Sequence, residues 1–94
     1  MCTQTQTAKA KVIIGNKLGL HARPAMAFVD TASGFACDVR VSKGAQSVDG
    51  KSIMQMMMLA ATQGTQLNIV ATGDDAPEAI KTLTALVQRQ FDED

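Results

Sequence analysis

Apolar positions in this chain follow two rhythms, one of period two and one of helical spacing, and they alternate along its length. Ala10, Val12 and Ile14 alternate with Lys9, Lys11 and Ile13, which predicts a first strand with one buried face from Ala8 to about Gly15. After the loop Asn16-Lys17-Leu18-Gly19-Leu20, the residues Ala25, Met26, Phe28, Val29 and Ala32 line one side of a helix of about three turns. That helix follows His21 and ends at Ser33-Gly34. Pro24 fits its first turn, where proline gives up only an N–H that has no intrahelical partner. Phe35, Cys37, Val39 and Val41 then alternate with Ala36, Asp38, Arg40 and Ser42 as a second strand. Lys43-Gly44 is a turn, Ala45 to Asp49 a short hairpin partner, and Asp49-Gly50 turns the chain again.

Ser52-Ile53-Met54-Gln55 reads as a capping box, in which the serine hydroxyl and the glutamine side chain each satisfy one free N–H. It predicts a short second helix from Ser52 or Ile53 to about Thr62. Leu67, Ile69 and Ala71 alternate with Gln66, Asn68 and Val70 in a fourth strand that ends at Gly73. Asp75-Ala76-Pro77-Glu78 starts a last helix, with Asp75 as its cap and one apolar stripe of Ala79, Ile80, Leu83, Leu86, Val87 and Phe91, running to about Gln90. The order β-α-β-β-α-β-α implies an α+β sandwich with helices covering one side of a sheet.

A chain of 94 residues has room for one core. We therefore expect a single domain over residues 8–91, a disordered Thr/Gln-rich tail over 1–7 and a solvated acidic tail over 92–94. Nine basic residues balance nine acidic ones, and Trp and Tyr are absent, which argues against nucleic acid as a partner. No apolar run reaches the roughly 18–20 residues of a membrane span, and the first residues lack the apolar core of a signal peptide, so a cytoplasmic protein without membrane insertion is expected. Cys2 and Cys37 stand at no metal-ligand or disulfide spacing and read as reduced thiols, Cys37 as a small core residue.

The chemistry concentrates in Gly19-Leu20-His21-Ala22-Arg23-Pro24-Ala25, which sets the only histidine where a strand-like segment gives way to a helix. A helix start offers unpaired N–H groups and the positive end of the dipole, so an anion is stabilised there without a metal. A lone histidine is structural more often than not. Here Gly15 and Gly19 make the preceding loop adaptable, Pro24 fixes the helix start, and Arg23 adds a planar cation within two residues. The chemistry that fits is phosphoryl transfer onto the ring, because a neutral imidazole is an available nucleophile and the product's oxygens can accept from helix N–H groups and from Arg23. Spacing alone leaves open which ring nitrogen reacts.

These residues resemble the HPr family of phosphocarriers of the bacterial phosphoenolpyruvate-dependent phosphotransferase system. Gly19 to Ala25 is similar to its active-site motif and Gly50-Lys51-Ser52-Ile53-Met54 to its serine-centred motif, at the family spacing, and the resemblance covers about residues 9–91. It implies an open-faced β-sandwich, a four-stranded antiparallel sheet with three helices on one face. It also implies that His21 carries a phosphoryl group on Nδ1, taken from Enzyme I and passed to an EIIA domain. The chain would then be a monomeric, stoichiometric carrier of sugar transport or nitrogen regulation, without a cofactor or metal, rather than an enzyme. Ser52 matches a serine that an HPr kinase/phosphorylase modifies in many members. Ala22, Ile53, Met54 and Met57 match positions that meet partners.

Asp30, Ser33 and Gln55 stand where some enterobacterial members carry lysines, which weakens steering toward an acidic partner. Asn16-Lys17-Leu18-Gly19 and Phe91-Asp92-Glu93-Asp94 are more similar to the nitrogen-related paralogue NPr, while Lys51-Ser52-Ile53-Met54 is similar to kinase-regulated HPr. Two other readings compete. One is a regulatory interaction protein acting mainly through phospho-Ser52 and regulatory partners, which would have no need of the nucleophile His21. The other is an enzyme with His21 as general base, which would need a second titratable group nearby. Ile53, Met54, Met56, Met57, Met58 and Leu59 leave Gln55 as the only polar position in their run, more apolar than one buried face requires. Part of that run is expected to be an adaptable docking patch.

Overall fold

Strand alternation is what builds the molecule. The computed structural model describes residues 6–92, and its elements follow in the order β1 (Thr7–Ile13), α1 (Ala22–Ser33), β2 (Asp38–Lys43), β3 (Gln46–Asp49), α2 (Ile53–Met58), β4 (Gln66–Thr72) and α3 (Ala76–Gln88). A single 3-10 turn over Gln90–Asp92 closes the described chain. The strands form one antiparallel sheet in the order β1-β4-β2-β3, in register such that Lys9 faces Val70, Val70 faces Arg40, and Arg40 faces Asp49. Because strand side chains point alternately to the two faces, that row lies on the outer side. Val12, Val39, Val41, Val48, Leu67, Ile69 and Ala71 lie on the inner side, all buried. The three helices cover this inner face, α1 contributing Ala25, Phe28, Val29 and Ala32, α2 Met56, and α3 Ala79, Leu83, Leu86 and Val87. The α+β open-faced sandwich and its β-α-β-β-α-β-α order are thus present.

Several boundaries move, each for a local reason. β1 begins at Thr7, and the Gln6 carbonyl accepts from the Gly73 N–H at 2.8 Å, so these two residues of the expected N-terminal tail are held; residues 1–5, 93 and 94 lie outside the described residues. Met26, expected on the core stripe, is 49% exposed, because the buried stripe of α1 starts at Pro24 and Ala25 and continues four residues on. α2 stops at Met58 rather than Thr62, since Ala60 takes a left-handed φ of 50° that a helix cannot continue. The capping box is half formed. Ser52 Oγ accepts from Gln55 N–H at 3.3 Å, but Gln55 Oε1 reaches past Ser52 to accept from Asp49 N–H at 2.9 Å.

Asp75 departs furthest from its expected role. It makes no side-chain cap to α3; its two carboxylate oxygens accept instead from the N–H groups of Ala36 and Cys37, both at 2.9 Å. Those donors are thereby diverted from the sheet, which is why β2 starts at Asp38 and not at Phe35. The Ala36 N–H, with lesser help from Cys37, holds the Asp75 carboxyl below its ordinary value of 3.8. A carboxyl lowered in the folded state contributes stability above that ordinary value, and the contribution disappears as pH falls through the lowered one. Asp75→Asn is therefore expected to unfold at lower urea concentration than the wild type at neutral pH. The gap between the two midpoints should close in acid below the ordinary value, and a gap that stays constant down to that range would assign the effect to packing.

Candidate functional site

The loop that presents His21 is pinned by the connection between α2 and β4. β1 continues past Ile13 through Ile14, whose N–H donates to Thr65 O at 2.9 Å and whose carbonyl accepts from Gly64 N–H at 2.7 Å. A turn follows, closed by Gly19 N–H on Asn16 O at 3.1 Å, and the Leu20 N–H then donates to Ala61 O at 2.8 Å. Leu20 and Ala61 are both buried. Gly19 has φ +70° and lies so close to the α2–β4 connection that a Cβ there would sit 2.8 Å from Thr62 Cα and still closer to the Ala61 carbonyl oxygen. Only glycine supplies both that φ and that approach.

His21 follows as the extended N-cap residue of α1, half-buried, with its N–H on Gly19 O and its carbonyl accepting from Ala25 N–H, both at 3.0 Å. The first helical turn is Ala22-Arg23-Pro24. Ala22 and Arg23 are exposed and their N–H groups have no intrahelical acceptor, while Pro24 has no N–H to offer. The first turn of α1 carries no acidic residue, in contrast to α3, which places Glu78 there. No acidic side chain of the first turn of α1 thus offsets the positive end of its dipole. With the Arg23 guanidinium on the same turn, an anion bonded to the ring would meet two N–H donors and a cation.

Ser52 is the half-buried N-cap of α2, held between its own N–H on Asp49 O at 3.1 Å and its hydroxyl's bond to Gln55. Its hydrogen bonds go to Asp49 and Gln55 rather than to the His21 loop; Ala61, which meets that loop, follows the C-terminal end of α2, whereas Ser52 precedes its start. Lys51 is not free to serve either residue, since its Nζ donates to Phe35 O at 2.7 Å. Of the apolar run, Met56 and Leu59 go to the core, while Ile53 is 37%, Met54 80%, Met57 44% and Met58 67% exposed. α1 and α2 pack against each other, and these four exposed side chains are the part of α2 that the core does not take.

Two further large apolar residues are exposed, Leu18 on the loop and Met26 on α1. The signal for Leu18 was its position in a turn whose neighbours carry the core contacts. Asn16, a loop residue by sequence, is buried, with Nδ2 donating to Gly19 O at 2.6 Å. Cys37 is a buried core thiol; burial pushes its pKa up, and a hydrogen bond with Asp75 adds to that, which keeps it protonated and unreactive. Among the described residues no group of three or more His, Cys, Asp or Glu side chains could hold a metal ion, and no helix is long and apolar enough to cross a membrane.

Residues 8–89 match the family model described as the PTS HPr component phosphorylation site. The chain is 49% identical over 84 residues to the phosphocarrier protein HPr of Pseudomonas aeruginosa, covering 88% of this chain and 93% of that protein. It is 44% identical over 80 residues to the HPr-like protein Crh of Bacillus subtilis, covering 85% and 94% respectively. Among solved structures, HPr from Thermoanaerobacter tengcongensis superposes with a TM-score of 0.89 at 45% identity, covering 93% of this chain and 98% of that one.

Proposed function

The chain belongs to the HPr family of phosphocarriers of the phosphotransferase system, and from that premise we propose that His21 is its phosphoryl acceptor. A ring nitrogen, Nδ1 in this reading, forms a bond to phosphorus as the bond between phosphorus and the donor's leaving atom breaks, the leaving atom keeping the electron pair. The donor is Enzyme I charged by phosphoenolpyruvate, and the acceptor of the onward transfer is an EIIA domain. The observation that carries this reading is the start of α1, where His21 is the N-cap before the N–H groups of Ala22 and Arg23 and the first turn holds no acidic side chain. Those groups and the Arg23 guanidinium stabilise the added charge without sealing it from a partner, which suits a carrier that must also release its cargo. Residues 8–91 act as one carrier domain, working as a monomer in the cytoplasm without a cofactor.

The test is incubation with phosphoenolpyruvate and Enzyme I, followed by intact mass and phosphorus NMR. One acid-labile phosphoryl group per chain, lost again on addition of an EIIA domain, is the expected result; an unchanged mass with active Enzyme I overturns the reading. Docking falls to the apolar surface of Ala22, Ile53, Met54 and Met57, joined by Leu18 and Met26. Met54→Ser should raise KM for charging by Enzyme I about tenfold. It should leave the urea midpoint unchanged, because that side chain is 80% exposed.

Ser52 is the regulatory position in this reading. A phosphoryl group placed there by an ATP-dependent HPr kinase/phosphorylase would be accommodated by the start of α2 while setting a dianion beside Ile53 and Met54, which weakens apolar docking.

A further inference from the structure

Among the described residues Asn16 is the one polar side chain that is fully buried, at 1% exposure. A buried amide costs free energy unless its hydrogen bonds are made, and an aliphatic side chain of similar volume would fill the same space without that cost. Its bond pattern explains the polar choice. Asn16 Nδ2 donates to the Gly19 carbonyl oxygen at 2.6 Å, the oxygen that also accepts the His21 N–H at 3.0 Å. Gly19 returns its own N–H to the Asn16 carbonyl at 3.1 Å. Three hydrogen bonds thus link residues 16, 19 and 21. They orient the peptide between Gly19 and Leu20, whose N–H points at Ala61 O at 2.8 Å.

Resting on the phosphoryl-acceptor reading of His21, we propose that Asn16 is a positioning residue for phosphoryl transfer. Its amide holds the Gly19 carbonyl, and through it the His21 backbone, where the imidazole meets an incoming phosphorus in line. It touches neither phosphate nor partner, being sealed beneath the loop. Its loss should therefore act on the chemical step and leave docking alone.

The experiment compares wild type with Asn16→Leu, which keeps the volume and removes the donor, and with Asn16→Ala, which removes both. For each variant that folds, kcat for charging by Enzyme I is expected to fall at least about tenfold with KM for the carrier unchanged, since small misplacements of a reacting group carry penalties of that order. The His21 amide proton and imidazole nitrogen resonances should shift in the uncharged variants, a change that a volume-filling role would not produce in Asn16→Leu. A folded variant that charges at the wild-type kcat with wild-type His21 resonances overturns the proposal, and so does a rise in KM alone. If wild type itself takes no phosphoryl group, the carrier reading is what fails. The His21 resonances then decide the positioning claim: a shift sustains it and wild-type positions refute it.

Discussion

His21→Ala is expected to fold as the wild type does and to take up no phosphoryl group from phosphoenolpyruvate and Enzyme I. The fold survives because His21 is only half-buried and its contacts to the rest of the chain given by the backbone, N–H to Gly19 O and carbonyl from Ala25 N–H, do not depend on the side chain. Alanine is a poor N-cap, but histidine makes no side-chain cap here, so little helix stability is at stake. The chemistry should vanish because neither Ser52 nor Cys37, the other nucleophile candidates among the described residues, can take its place. Ser52 lies at the far end of α2, and Cys37 is a buried thiol held protonated. Intact mass after the charging reaction checks the result. A variant that still gains an acid-labile phosphoryl group would move the acceptor away from His21, whereas an acid-stable gain would point to a hydroxyl such as that of Ser52.

Gly19→Ala should be the most damaging single change in the loop. The φ of +70° costs an L-residue on the order of 1–3 kcal/mol. The added Cβ would also meet backbone rather than a flexible side chain, 2.8 Å from Thr62 Cα. The α2–β4 connection has to move or the Leu20–Ala61 hydrogen bond has to break. A loss of about 2–4 kcal/mol in urea unfolding is expected, together with slower charging, since the same displacement shifts His21. Gly44, with φ +58° and open space around its Cα, isolates the first effect from the second. Gly44→Ala should lose only the conformational part and charge at the wild-type rate, and equal losses at the two positions would remove the close approach from the account.

The elements were legible in the sequence wherever side-chain periodicity decides them. β4 and α3 follow their apolar stripes because each packs one face against the same core. What periodicity cannot carry is a side chain that satisfies backbone groups distant in sequence. Asp75 reads as a helix cap by its neighbours in the chain, but the Ala36 and Cys37 N–H groups come within reach only once the sheet has formed, and they take its carboxylate. Asn16 in the same way reads as a turn residue, and its burial arises only with the folded loop. His21 and Ser52 were visible as candidates because their settings are local, each at the first residues of a helix. The early end of α2 was not, because Ala60 takes a left-handed φ of 50° that stops the helix at Met58 in spite of its apolar run.

The strand order carries a consequence for how the chain acquires its shape. β4 lies between β1 and β2, pairing Thr7 with Thr72 on one side and Val41 with Ile69 on the other. The strand that joins the sheet is therefore the last one to leave the ribosome. Until it arrives, β1 has no partner, and β2 with β3 amounts to a hairpin, which is marginal alone in water. Contacts this distant in sequence make folding slow relative to helical proteins of the same size. Synthesis must pass Thr72 before the central pairing can begin, so a chain truncated ahead of β4 is expected to leave its valine-rich strands exposed and prone to association.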